Sequence, residues 1–170
     1  MFAHFLEINE RTLGKPAVAN ASASRAIAPW KLLARCSGTT ADSCVFIDRL
    51  KALGASNKED GKAALSALSK LITVAGTGQP IENFYDKKQS HPLHEFVYKG
   101  RTRVIWRIRK NDVRIAFYYA EGKIIFLADA FAKRKGKLTK GEKKQLEDEV
   151  KDYIDAEDDQ QLVVISHQGE

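Results

Sequence analysis

The chain has 170 residues, of which 44% are hydrophobic, 28 are lysine or arginine and 22 are aspartate or glutamate. That length and apolar content suit a single folded domain and argue against a wholly disordered chain. No apolar run approaches the roughly 20 residues of a membrane span, and residues 1–28 lack the compact apolar core of a secretory signal. We therefore expect a cytoplasmic protein in which Cys36 and Cys44 are buried or unreactive thiols, since one pair without nearby histidines makes neither a disulfide scaffold nor a zinc site.

Positive charge is concentrated in one part of the chain. Residues 96–145 contain 15 lysines and arginines but four acids, whereas residues 146–159 contain eight acids and one lysine. A basic block of this density is expected where a protein binds a polyanion, most simply nucleic acid. A solvated charged face that only keeps the protein soluble is the alternative, and the position of the block on the fold has to decide between them.

The first half of the chain predicts one strand and two helices. Residues 1–28, rich in Ala, Ser and Asn, are predicted as an N-terminal extension that is partly helical or flexible. A short strand follows over residues 30–36. Apolar residues spaced by three and four then predict helices over residues 41–53 and 57–76, which pair as an antiparallel hairpin.

The second half predicts an antiparallel meander and a final helix. Alternating residues predict strands over 104–109 and 113–119, and residues 123–131 are apolar on both faces, as in a central strand. Thr139, with Glu142 three residues later, forms a capping box for the final helix. The predicted fold class is therefore α+β: a small, twisted, mainly antiparallel sheet with two N-terminal helices and a C-terminal helix.

Strand alternation predicts where the basic side chains lie. Arg107 and Arg109 share one face of their strand, and Arg114 lies just across the following turn. Guanidinium groups suit phosphate because they stay protonated and donate in a fork. We therefore expect a concave basic surface on the sheet. Residues after the last strand extend it: Lys133, Arg134, Lys135 and Lys137. Exposed charges that protect an edge strand from aggregation are the alternative interpretation.

Four further side chains are candidates for chemistry or for base contact. His91 and His94 precede the meander, and either can carry a proton near neutral pH, although an exposed loop position explains them equally well. Their spacing of three lacks a third ligand, so we expect no metal site. Tyr118 shares a face with Arg114 and is a candidate for stacking on a base, with core packing as the alternative. Asp129 is expected to pair with an arginine of the meander.

Three stretches of the chain carry a resemblance to a known family: PWKLLARCSGTTADSCVFIDRL, PLHEFVYKG and RIRKNDVRIAFYYAEGKIIFLADAFAKRKGKLTKGEKKQLEDEVKDYI. Over residues 29–155 the chain resembles the RelE/ParE superfamily of bacterial toxin–antitoxin toxins, especially its RelE/HigB-like, phage-associated branch. The resemblance implies a microbial-RNase-like fold over that range, a cognate antitoxin of the helix-turn-helix kind, and no cofactor. Residues 156–170 are then left as an acidic C-terminal tail.

The activity that this resemblance implies is cleavage of mRNA. Toxins of the RelE type enter the ribosomal A site, where the ribose 2′-OH attacks the adjacent phosphate and leaves a 2′,3′-cyclic phosphate without a metal. HigB-like relatives use a histidine before the meander, and either His91 or His94 fits that position. The catalytic candidates are Arg107, Arg114, Arg134, His91 and His94. The RNA-binding candidates are Arg109, Lys110, Tyr118, Lys133, Lys135 and Lys137.

The expected function is therefore a ribosome-dependent mRNA endoribonuclease, an mRNA interferase that inhibits translation as the toxin of a type II toxin–antitoxin system. Two alternatives remain open. A ParE-like toxin would act on DNA gyrase without cutting RNA. A catalytically silent module would bind RNA or a partner, which is consistent with Ile105 at a position where the family carries a lysine and with the absence of a tyrosine from residues 138–140.

Overall fold

The computed structural model describes residues 2–14, 27–133 and 137–166. In it the chain forms a seven-stranded sheet with α-helices on both faces. The strands are β1 (Ala3–Ile8), β2 (Lys31–Arg35), β3 (Ser90–Tyr98), β4 (Arg101–Lys110), β5 (Val113–Ala120), β6 (Ile124–Ala132) and β7 (Leu162–Ile165). The helices are α1 (Val45–Ser56), α2 (Lys58–Thr77) and α3 (Lys140–Asp158). Across the sheet the order is β3-β4-β5-β6-β2-β1-β7, with β1–β7 and β2–β6 parallel and the other neighbours antiparallel. No helix among the described residues is long and apolar enough to cross a membrane.

The two faces of the sheet are covered by different helices, so the core has two halves. On one face, Phe46 of α1 and Leu68 and Leu71 of α2 belong to the same buried cluster as Phe117 of β5. On the other face, α3 buries Tyr153, whose ring stacks on that of Phe126 with centroids 4.9 Å apart. Each such side chain contributes roughly 1.5–3 kcal/mol on leaving water, so both halves of the core hold the sheet in place.

The predicted class α+β is confirmed, and the predicted helices are present with small shifts at their ends. α1 begins at Val45 rather than at residue 41 because Ala41–Ser43 form a separate 3₁₀ turn. α2 is capped by Asn57, whose side-chain oxygen accepts two backbone N–H groups at 2.9 and 3.1 Å. Thr139 and Glu142 form the capping box at the start of α3, as predicted.

The N-terminal segment is a strand of the sheet. Ala3–Ile8 forms β1, which pairs with β2 on one side and β7 on the other. Phe5, Leu6 and Ile8 are all at most 2% exposed. The prediction of a helical or flexible extension is therefore wrong for these residues, because a short apolar run has no periodicity that separates a strand from a helix. Residues 15–26, which the same prediction covered, lie outside the described part of the chain.

The predicted acidic tail is also largely part of the fold. α3 continues to Asp158, with Ala156 buried, and Leu162–Ile165 forms β7 beside β1. The prediction of a tail is wrong for these residues. The eight acids of residues 146–159 indicated an exposed segment, and the apolar run Leu162–Ile165 is too short to predict a strand by itself. All of these acids except the buried Glu149 lie on the exposed or half-buried side of α3, whose other side is buried, as is usual in an amphipathic helix.

A fourth strand of the meander, β3, contains His91 and His94, which the sequence analysis had placed before the meander. It pairs antiparallel with β4, and the register shifts between Pro92 and His94. Proline is compatible with this strand because β3 is at the edge of the sheet and carries a bulge at that point. The meander therefore has four strands instead of three, and the two parallel pairs elsewhere make the whole sheet mixed.

Candidate functional site

Three arginines reach the same face of the sheet because β4 and β5 meet in a tight turn. Their register sets Arg109 directly opposite Arg114, with Arg107 two residues earlier on the same face. Asn111 in the turn has a left-handed φ of 53°, which asparagine tolerates better than most residues. Its carbonyl oxygen accepts hydrogen bonds from Arg114 Nη1 at 2.9 Å and from Arg109 Nε at 3.4 Å. Strand alternation predicted this grouping.

A cavity of about 410 Å³ lies on this face of the sheet. Its lining residues come from β3, β4, β5, the segment between β6 and α3, and the first turn of α3: His91, Leu93, Arg107, Arg114, Lys133, Lys137, Leu138 and Lys143. The N–H of Lys133 donates to the carbonyl oxygen of Asp112 at 2.8 Å, which holds the end of β6 beside the β4–β5 turn. No carboxylate is among these lining residues, so the cavity is positively charged.

Arg107 is the most deeply buried cation of the cavity, with 7% of its surface exposed. Its Nη1 donates to the carbonyl oxygens of Lys88 and Gln89 at 3.0 and 3.4 Å, and its Nη2 donates to Nε2 of His91. A buried guanidinium needs such partners because its N–H groups have lost their water. These bonds hold the planar group in one orientation at the edge of the cavity.

The two hydrogen-bond partners of His91 select one tautomer of its ring. Its Nδ1 lies 2.6 Å from the carbonyl oxygen of Pro92, and a carbonyl can only accept, so Nδ1 carries the hydrogen. Its Nε2 faces the guanidinium of Arg107, which can only donate, so Nε2 provides a lone pair. The ring therefore presents an unprotonated nitrogen to the cavity, already in contact with a cation.

The arginines at this site repel one another, and no acidic side chain lines the cavity to neutralise them. Burial lowers the pKa of Arg107, and the nearby charges of Arg114 and Arg109 lower it further. Burial also lowers the pKa of Arg114, with Arg109 acting in the same direction and Asp112 opposing it. Both guanidinium groups stay protonated at neutral pH because their ordinary pKa is so high. Their mutual repulsion means that a bound anion would relieve an electrostatic cost.

The cavity borders the first turn of α3. Lys143 lines it from within that turn, while Lys137 and Leu138 line it from just before the capping residue Thr139. The N-terminal end of a helix carries a partial positive charge from its backbone N–H groups. α3 therefore adds to the positive potential that the lysines and arginines produce.

His94, the other predicted proton carrier, is not among the lining residues of the cavity. Its Nε2 lies 2.6 Å from Oε2 of Glu147 on α3, and its ring stacks on Phe96 with centroids 6.1 Å apart. The bulge in β3 turns both histidines toward α3 but gives them different partners. The structure thus assigns His94 to the contact between β3 and α3, and its predicted catalytic role is not supported by its position.

Three of the predicted RNA-contacting residues lie outside the cavity. Tyr118 is 9% exposed, belongs to the core beneath α3 and accepts a hydrogen bond from Arg103 Nη1 at 2.9 Å. Its predicted stacking on a base is therefore incorrect for this arrangement, because the core already covers its ring. Arg109 and Lys110 are exposed at the end of β4, near the turn but not among the lining residues.

Two predicted site residues cannot be placed, and three residues that line the cavity were not predicted. Arg134 and Lys135 lie outside the described residues. Lys143 was missed, although it directly follows Glu142 of a recognisable capping box and so lies in the first turn of α3. Leu93 and Leu138 were missed because lone apolar residues in polar segments give no signal of a cavity wall.

Asp129 belongs to a separate cluster and not to the cavity. It pairs with Arg49 of α1 at 3.2 Å, so the expected pairing with an arginine is present, but the arginine comes from a helix and not from the meander. Arg49 also pairs with Glu149 of α3 at 3.1 Å, and Glu149 pairs with Arg35 at 3.1 Å. Burial raises the pKa of Asp129, while the charge of Arg49 opposes that shift. This cluster links the two helical layers.

Comparisons of the chain with models of protein families, with curated proteins and with solved structures found no match. Over the described ranges, no group of three or more His, Cys, Asp or Glu side chains is arranged to hold a metal ion. The functional argument therefore depends on the geometry and charge of the site itself.

Proposed function

We propose that this chain is the toxin of a type II toxin–antitoxin system and a ribosome-dependent mRNA endoribonuclease, related to the RelE/HigB-like branch of the RelE/ParE superfamily. The observation that carries the proposal is the cavity in which His91, Arg107 and Arg114 meet Lys133 and Lys137. A cavity lined by several cations suits the phosphates of an RNA strand, and histidine is the natural proton carrier near neutral pH.

The order of elements between β2 and α3 supports the same proposal. One strand, two helices, an antiparallel meander and a final helix follow one another, although the meander has four strands where the resemblance implies three. β1 and β7 are additions at the far side of the sheet, whereas the cavity uses β3, β4 and β5. The family-like part of the chain therefore contains every lining residue of the cavity.

In the proposed reaction, the ribose 2′-oxygen forms a bond to phosphorus while the bond from phosphorus to the 5′-oxygen breaks. Arg107 first turns its guanidinium from His91 toward the bound phosphate, and Nε2 of His91 then accepts the proton of the 2′-hydroxyl. Arg107 and Arg114 stabilise the extra negative charge that develops on the phosphate oxygens. The departing 5′-oxygen takes a proton from water, and the hydroxide that remains takes the proton back from His91, which leaves a 2′,3′-cyclic phosphate, a 5′-hydroxyl and the enzyme in its starting state.

The proposed partners are the ribosome with its mRNA and a cognate antitoxin. An antitoxin that covers the cavity with acidic side chains would neutralise the lining arginines and lysines, and so compete directly with RNA. A helix-turn-helix protein encoded beside this one is the expected form of that partner, and the cytoplasm is where all three would meet.

A second candidate, an RNA-binding module without nuclease activity, is favoured by one specific observation. Nε2 of His91 is already occupied by Arg107, and Ile105, at the position of a family lysine, is fully buried. If Arg107 does not leave His91 when RNA binds, no other described side chain of the cavity is an unprotonated base, since the remaining polar lining groups are lysines and arginines. Such a protein would bind RNA without cleaving it.

Induced expression of wild-type protein and of Arg114→Ala tests the proposal. Wild-type induction is expected to stop growth and to produce codon-phased cuts in a reporter mRNA, read by primer extension. Arg114→Ala is expected to relieve the growth arrest and to reduce the cuts, because it removes a cation from the wall of the cavity.

Arg101→Ala is the matched control, since Arg101 is also a strand arginine but lies on the exposed surface near Glu121. It is expected to behave as wild type. Growth arrest with an SOS response and no cuts would favour the ParE-like alternative, and RNA binding without arrest or cuts would favour the silent module. Undiminished arrest by Arg114→Ala would contradict the proposed mechanism.

A further inference from the structure

An apolar groove lies on the outer side of the α1–α2 pair, across the sheet from the basic cavity. Its volume is about 410 Å³. Leu50 and Leu68 are buried beneath it, Leu13 lines it from the 3₁₀ turn Glu10–Leu13, and Leu65 stands 53% exposed on α2. Leu65 is thus a large apolar side chain that is exposed to solvent near the middle of α2, where it forms part of the groove wall.

The groove exists because two glycines let the helices approach closely. A Cβ atom on Gly61 would lie 2.6 Å from the Cα of Gly54, closer than any real side chain can approach backbone. Both glycines line the groove, so its floor at this crossing is backbone without side chains. The space above that floor is therefore left open between Leu65 and the side chains of α1.

The rim of the groove is positively charged. Lys51 of α1 and Lys58 and Lys62 of α2 line it, all three are exposed, and no acidic residue is among the lining residues. Glu59 lies near Lys62, at 3.8 Å, but points into solvent with 81% of its side chain exposed. An apolar floor between ammonium groups suits a ligand with an apolar face and negatively charged flanks.

We propose that this groove binds an acidic amphipathic helix of a partner protein. A helix pair accepts a third helix when the side chains of that helix fill the groove between the first two, with apolar anchors at positions i, i+3, i+4 and i+7. Glutamates and aspartates beside those anchors would face Lys51, Lys58 and Lys62. RNA does not match an apolar floor, so this groove and the basic cavity serve different partners.

A second copy of this chain is a poor occupant of the groove. The acidic helix within the described residues is α3, and its apolar side, which includes Leu146, Val150 and Ile154, is already buried against the sheet. It cannot present that side to another molecule without unfolding its own domain. The proposal does not depend on the toxin assignment, because the groove and the cavity share no residue.

Fluorescence anisotropy with labelled 16-residue synthetic peptides tests this proposal. One peptide carries leucines at the four anchor positions and glutamates at most others, and a second replaces each glutamate by lysine. The full-length protein is expected to bind the acidic peptide with a Kd of about 10–50 μM and the basic peptide about tenfold more weakly. Leu65→Glu and the double variant Lys51→Glu, Lys58→Glu are each expected to weaken acidic-peptide binding about tenfold.

Two matched controls separate the groove from general effects of the substitutions. Val97→Glu changes an even more exposed apolar residue on β3, and Lys31→Glu with Lys87→Glu reverses two exposed charges elsewhere. Both are expected to bind the acidic peptide as wild type does. Equal affinity for both peptides, no saturable binding, or unchanged binding by Leu65→Glu would overturn the proposal. A dimer in sedimentation velocity that Leu65→Glu abolishes would also overturn it, by making a second copy the occupant.

Discussion

Nε2 of His94 lies 2.6 Å from Oε2 of Glu147, and this pair ties edge strand β3 to α3. Because both side chains are at least three-quarters buried, we predict that His94→Ala lowers the free energy of unfolding by about 1–2 kcal/mol. RNA cleavage by the remaining folded protein should be unchanged. Urea denaturation gives the first quantity and a cleavage assay the second. A stable His94→Ala protein that does not cleave RNA would give His94 a role in the proposed reaction.

His91→Gln separates proton transfer from positioning. Glutamine keeps an acceptor oxygen for Arg107, so stability and RNA affinity should remain within about twofold of wild type, but it cannot accept a proton at neutral pH. We expect cleavage to fall by about 100-fold or more. Comparison of filter-binding affinity with the rate of cutting measures both effects. Cleavage at the wild-type rate would leave His91 with a positioning role only.

Arg114→Ala should also change how binding depends on salt. Each phosphate contact adds about one unit to the slope of log affinity against log salt concentration, somewhat less for a single strand. We therefore expect the slope for a short RNA oligonucleotide to fall by roughly one unit. Arg101→Ala should keep the wild-type slope, since Arg101 lies beside Glu121 away from the cavity. Equal slopes for all three proteins would remove Arg114 from the proposed RNA-binding surface.

The two cysteines should react slowly in the native protein. Burial raises the pKa of the Cys44 thiol to about 11 and also raises the pKa of Cys36. At pH 8 only about one Cys44 in a thousand is the reactive thiolate, and that fraction grows as the pH rises. We expect a slow reaction with Ellman's reagent at pH 8 that accelerates at higher pH, and prompt reaction of both thiols in denaturant. Prompt reaction in the native state would contradict this environment.

Arg49→Met should be strongly destabilising. Arg49 is placed between Asp129 at 3.2 Å and Glu149 at 3.1 Å, both of which are mostly buried. Removing the cation leaves two carboxylates near each other with only Arg35 as an ion-pair partner for Glu149, which we expect to cost about 3 kcal/mol. Denaturation with urea measures the loss. Arg101→Met is the control, since its exposed ion pair should contribute below about 1 kcal/mol.

The basic side of the cavity could be predicted because a strand has a fixed period of two residues. Once β4 and β5 were recognised from their alternation, Arg107 and Arg114 had to share a face, whatever the rest of the fold looked like. The capping box likewise located the start of α3 from two residues, because the hydrogen bonds that define it are local.

The other half of the sheet could not be predicted because its pairing is not local. β1 and β7 are short, and each becomes a strand only by pairing with a segment more than 20 residues away or at the other end of the chain. His91 and His94 looked equivalent in sequence, and only the bulge in β3 and the packing of α3 give one of them to Arg107 and the other to Glu147.

The placement of β1 between β2 and β7 matters for anyone who shortens this protein. A truncated version that begins at residue 29 would lack β1 and would leave β7 without its neighbour in the sheet. Tyr153 would lose the ring of Phe5, whose centroid lies 5.3 Å from its own. Insoluble product from such a trimmed gene would reflect the loss of this strand next to the edge of the sheet and would carry no information about toxicity.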